Sequence, residues 1–196
     1  MTLRTLALLG STLFSVPALA SDWTIDSAHS EADFKVRHMG ISYVNGTLGT
    51  ITGGIHLDEG NMTKSSVWVS IDVSQIETRE PKRNAHLKSP DFFDVAKYPA
   101  VTFKSTRVQQ ESVGKLKVTG DLTMHGVTKS VVLSVVGPTA PVKDPWGNSH
   151  IAASATTQLD RKDYGLVWNK PLEAGAGMLV GDDVAVAISI EALPKK

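Results

Sequence analysis

The sequence predicts an all-β fold of mainly antiparallel strands, and three observations carry that prediction. Apolar and polar residues alternate with a period of two in several separate segments, the pattern of strands with one buried face. None of the nine prolines falls between Val101 and Gly137, where the longest alternating segments lie, as a hydrogen-bonded ladder requires. Only one short stretch carries helix signals.

The elements follow in chain order. Met1–Ala20 has a basic start at Arg4, the apolar run Leu6–Val16, then Ala18-Leu19-Ala20. This is the form of a secretory signal peptide cut after Ala20, and the run is too short to span a bilayer. The remaining residues, 21–196, then form one domain outside the cytoplasm, most simply in a bacterial periplasm. Ala32, Phe34 and Val36 share one face of the first clear strand, and Tyr43–Leu57 reads as a glycine-punctuated hairpin. Val67, Val69, Ile71 and Val73 alternate with polar neighbours, as do Val101, Phe103 and Ser105. Leu116, Val118, Gly120, Leu122 and Met124 follow, then Val131, Leu133 and Val135, and finally Val184, Val186, Ile188 and Ile190. Asp144-Pro145-Trp146-Gly147-Asn148 has the residues of a tight turn. The helical insertion covers roughly residues 79–96: Thr78 as its cap, Pro81 near its start, and a fresh turn at Ser89-Pro90.

Composition excludes much chemistry. There is no cysteine, so no disulfide, zinc–thiolate site, iron–sulfur cluster or thiol nucleophile. Twenty basic residues balance twenty acidic ones, which argues against a nucleic-acid partner. No Gly-x-Ser-x-Gly elbow is present, and Gly46–Gly54 lacks the Lys-Ser/Thr of a phosphate loop. The six histidines, His29, His38, His56, His86, His125 and His150, include no pair at the two-to-four spacing of local metal ligands. These readings predict no catalytic residue, no metal and no cofactor. With little helix to cover it, the apolar sheet face must pack on a second sheet or close on itself. Periodicity leaves both open; a closed barrel of about eight strands would hold one small ligand.

The residues themselves carry a resemblance. Trp23-x-x-Asp26-x-x-His29-Ser30 and Phe34-x-Val36-x-His38 are followed by His86-Leu87-Lys88-Ser89-x-Asp91-Phe92-Phe93-Asp94 and Tyr98-Pro99. Then come Gly120-Asp121-Leu122-Thr123-Met124-His125-Gly126-Val127-Thr128-Lys129, Asp144-Pro145-Trp146-Gly147 and Arg161-Lys162-Asp163-Tyr164-Gly165. In order and spacing the chain resembles the YceI-like polyisoprenoid-binding family. Two positions depart from its pattern: Asn84 stands where an Asp often follows Arg83, and Ser130 where a Pro usually follows Thr-Lys.

The resemblance implies an eight-stranded antiparallel, lipocalin-like barrel whose apolar interior holds a long isoprenoid lipid, polyprenyl or ubiquinone-type. It implies non-catalytic binding, transport or storage in the periplasm. On this reading Phe34, Val36, Val69, Ile71, Phe103, Leu122 and Leu133 line the barrel. Leu87, Phe92 and Phe93 form a wall or lid, and Trp168 and Met178 lie beyond the last long loop. His38, Arg83 and His86 are the head-group candidates, each of which could equally tie down a loop. An apolar rim at the mouth would allow a homodimer. Two other functions are weighed: a metal- or His-dependent enzyme acting on isoprenoid lipids, and a stress-related interaction protein whose barrel is structural.

Overall fold

The computed structural model describes residues 20–175 and 177–196, so the predicted signal peptide up to residue 19 lies outside the described residues. Among the described residues eleven strands form: β1 (Ser21–Ile25), β2 (Glu31–His38), β3 (Ser42–Thr47), β4 (Thr50–Leu57), β5 (Ser66–Asp72) and β6 (Ala100–Ser112). They continue with β7 (Lys115–Met124), β8 (Val127–Val136), β9 (Val142–Lys143), β10 (Ser149–Asp160) and β11 (Val180–Pro194). Eight of them close a ring in the order β11, β1, β4, β5, β6, β7, β8, β10 and back to β11, every pairing antiparallel. The choice between sandwich and barrel is thereby settled in favour of the barrel. Closure leaves no free edge in the ring.

β11 makes the closure possible by its length. One edge pairs with β10 along ten residues, from Asp183 to Ala192. The other edge is shared: Val180–Ser189 holds β2, and Ala192–Pro194 holds β1. The β2–β3 hairpin therefore attaches to the ring as an added flap.

The expected hairpin over Tyr43–Leu57 does not form. β3 pairs with β2, whereas β4 pairs with β1 and β5, so the chain crosses between them at Leu48-Gly49. Gly49 has φ of 132°, and a Cβ there would lie 2.0 Å from the Asp72 carbonyl oxygen. Only glycine permits that close crossing.

The helical insertion is present as α1 (Pro81–Lys88) followed by turns, but Thr78 is not its cap. Glu80 caps it instead, its carboxylate accepting from the Lys82 amide, with Pro81 in the first turn. Thr78 has another task. Its amide and hydroxyl both donate to Asn84 Oδ1, at 2.8 and 2.6 Å. Asn84 Nδ2 donates to Glu77, which holds that carboxyl below its usual range. An Asp at position 84 would set a second carboxylate against Glu77, so the family departure is matched to its neighbour. Replacing Asn84 with alanine should strand two buried donors of Thr78 and cost about 1–3 kcal/mol, read by denaturant unfolding.

The buried residues form three clusters. The largest joins Ile25, Phe34, Ile51, Ile71, Phe92 and Phe93 across the ring and under α1. A second contains Phe103, Val108, Leu116, Val118 and Leu133. A third, Trp23, Leu57, Ile151 and Ala192, plugs the end where β1 meets the end of β11. Ala187 is exposed, because Val186 and Ile188 take the inner positions on either side of it.

Candidate functional site

Inside the ring lies a cavity of about 150 Å³. Its wall follows from the alternation of each strand. Phe34 and Val36 come from β2, Val69 and Ile71 from β5, Phe103 from β6, Leu122 from β7 and Leu133 from β8. Leu87 on α1 and Phe92 and Phe93 in the turn after it close one side. Thus ten of the twelve apolar residues singled out from sequence face one space. Among the described residues, the polar side chains on its wall are Thr102, Thr157 and Arg161. Lining residues not singled out include Val184, Val186 and Ile188 on β11, Leu159 on β10, Leu48 and Leu166. The first three alternate in sequence and were open to the same reading; Leu48 and Leu166 sit in connections, where no period marks them.

Trp168 and Met178 do not line the cavity. Trp168 packs outside it, its ring edge-on to His86 at 4.7 Å and tilted against Phe92 at 5.3 Å. It covers the outer side of a residue whose inner side is the wall. Met178 is 48% exposed, bridged to Pro171.

None of the three head-group candidates reaches the cavity. His38 ends β2, paired with Val180 and Ser42. Arg83 turns back onto Thr78, donating from Nε to its hydroxyl at 2.8 Å and from Nη2 to its carbonyl at 2.7 Å. His86 Nε2 bonds Asp91 at 2.8 Å while its ring packs on Phe92 and Trp168. Arg83 and His86 therefore tie down the segment that closes the cavity.

Arg161 is the polar residue of consequence. It is 4% exposed at the start of the short helical turn Arg161–Tyr164 that follows β10. Its guanidinium donates to the carbonyls of Leu166, Trp168 and Gly181, and pairs with Asp182 at 3.1 Å. One buried cation thus fixes the loop after β10 onto the start of β11. Next to it, burial raises the Tyr164 hydroxyl above its ordinary pKa, helped by the Asp163 charge. Asp163 itself pairs with Lys129 on β8. His125 Nδ1 donates to the Tyr164 carbonyl at 3.1 Å. His125 and Gly126, with φ of 51° and 77°, form the two-residue turn between β7 and β8. Tyr98 lies over that turn, where a Cβ on Gly126 would meet its ring at 2.7 Å. The Tyr98-Pro99, His125-Gly126 and Tyr164-Gly165 motifs thus serve one packed corner.

No helix among the described residues is long and apolar enough to cross a membrane. Among the described residues that line the cavity there is no histidine and no carboxylate.

Comparison with known proteins agrees with this architecture. The model of the YceI-like domain matches residues 23–192. A UPF0312 protein of Vibrio cholerae is 39% identical over 168 residues, covering 83% of this chain and 88% of that one. A UPF0312 protein of Vibrio parahaemolyticus is 40% identical over 149 residues, 75% and 78% of the two chains. Among solved structures, the Campylobacter jejuni YceI protein superposes with a TM-score of 0.68 at 27% identity, covering 82% and 90%. BcnA of Burkholderia cenocepacia shares the fold with a TM-score of 0.71 at 19% identity, covering 85% and 98%. The motif order, the closed ring and the matched family model agree, and the chain belongs to the YceI-like domain family.

Proposed function

We propose that the protein binds a long-chain isoprenoid lipid, polyprenyl or ubiquinone-type, and transports or stores it in the periplasm without catalysing a reaction on it. The observation that carries this reading is the cavity: a space walled almost wholly by carbon, inside a ring closed by hydrogen bonds. A Saccharophagus degradans structure described as a polyisoprenoid binding domain shares the fold, with a TM-score of 0.64 at 16% identity over 88% of this chain. That likeness supports the ligand class through the shape of the fold alone.

Energetics favour tail recognition over head-group recognition. Each five-carbon isoprene unit offers roughly 4 kcal/mol gross on burial at about 0.8 kcal/mol per carbon. Chain ordering offsets much of this. With Arg83 and His86 engaged elsewhere, selectivity falls on the length and width of the cavity. A space of about 150 Å³ is of the size that admits a six-carbon ring, so a tail of several units requires the wall to yield. The part of the wall that lies outside the strands of the ring is Leu87, Phe92 and Phe93, with Trp168 behind them, and it is the part that would move.

Native mass spectrometry of gently purified protein, before and after adding a prenyl-tailed quinone, tests the proposal. One lipid per chain is expected. Protein that carries no lipid and takes up no prenyl ligand would refute it.

A further inference from the structure

Two motifs remain that the cavity does not use, Trp23-x-x-Asp26-x-x-His29-Ser30 and Asp144-Pro145-Trp146-Gly147. In the fold they meet on Glu191, near the C-terminal end of β11, away from the cavity wall. Asp26 follows β1 and accepts from the Ala28 amide through Oδ1 at 2.9 Å. Its Oδ2 holds His29 Nδ1 at 2.8 Å. The Asp26 amide donates to the Glu191 carbonyl, and the Glu191 amide donates to Ser30 Oγ at 3.0 Å. From the other side, Glu191 Oε1 accepts from His150 Nδ1 at 2.7 Å, and His150 Nε2 faces Asp144 Oδ2 at 3.2 Å. Asp144 is itself fixed by the amides of Trp146 and Asn148.

We propose that Asp26, His29 and Glu191 form a binding site for a divalent first-row transition ion such as Zn2+, with His150 and Asp144 as its outer shell. One ligand atom from each of the three lies within 4.8 Å of the others. An imidazole with two carboxylates suits such an ion and leaves a position for water. Bonds of about 2.0–2.2 Å would draw the ligand atoms to within about 3.5 Å of one another. His29, 64% exposed, has the freedom to make that closure. The chain Glu191–His150–Asp144 supplies the hydrogen-bonded support that metal ligands commonly need.

Charge is compatible with the same assignment. The site holds three carboxylates and two imidazoles, and among the described residues no Lys or Arg pairs with Asp26, Asp144 or Glu191. The amides of Ala28, Trp146 and Asn148 already donate to Asp26 and Asp144, and a divalent cation would add to that stabilisation.

Isothermal titration of chelator-treated protein with ZnCl2, and absorption spectra with Co2+ in its place, test the site. Expected are one ion per chain and Co2+ bands of a nitrogen–oxygen site. His29→Ala and Glu191→Gln should each weaken binding by about tenfold or more, while His86→Ala leaves it unchanged. Absence of saturable binding overturns the proposal, as does wild-type affinity in both His29→Ala and Glu191→Gln. Uptake of prenyl-tailed quinone by the same variants checks that the barrel is intact.

Discussion

Replacing Arg161 with alanine is expected to destabilise the protein by about 3–5 kcal/mol, because three carbonyls lose a charged donor at about 1–3 kcal/mol each. The cause is local and countable. Carbonyls of Leu166, Trp168 and Gly181 lose their donor at once, and Asp182 keeps only Lys162, at 2.6 Å. Arg161→Lys should not rescue it. An ammonium is a point donor on a flexible stem, whereas the planar fork of a guanidinium reaches acceptors on three sides. Because the same cation holds the backbone of Trp168, which covers Phe92, the damage should reach the cavity. Hydrogen exchange should then accelerate first over residues 162–170 and the start of β11, and retention of a prenyl ligand should fall with it. Denaturant unfolding measures the first effect and native mass spectrometry the second. A variant of wild-type stability would show that the loop is held by its other contacts.

The ring was legible because strands have a strict period. Phe34, Val36, Val69, Ile71, Phe103, Leu122 and Leu133 each sit at an inward position of a strand readable by eye, and all seven meet around one space. Leu87, Phe92 and Phe93 lie outside any strand, and were placed by the resemblance. What failed was information that period does not hold. Tyr43–Leu57 alternates as a hairpin should, but the pairing partner of each strand is chosen by a crossing at Gly49 that sequence does not announce. Trp168 is apolar and near the cavity in sequence order, yet it faces the outer side of Phe92. His38, Arg83 and His86 were singled out for charge near the expected mouth, and hydrogen bonding spends two of them on the chain itself. The spacing of histidines along the sequence also carries nothing about contacts between segments, such as that of His150 on β10 with Glu191 on β11.

Phe103→Ala should separate a lipid container from a barrel that is merely structural. Phe103 belongs both to the second buried cluster and to the cavity wall. Its ring lies so close to β7 that a Cβ on Gly120 would meet it at 2.4 Å, so this glycine is the space the ring occupies. Truncation opens a ring-sized void continuous with the existing cavity, and the ligand-free protein should lose about 3–5 kcal/mol. A structural barrel stops there. In a container, added ligand binds the folded state alone and returns about 2.7 kcal/mol at a hundredfold excess over Kd. Thermal unfolding with and without a prenyl-tailed quinone should therefore show both wild type and variant raised by ligand. The variant's widened cavity should also accept a bulkier tail than the wild type. If the quinone shifts neither transition, the space inside the ring is a packing defect, and the proposed ligand class falls with it.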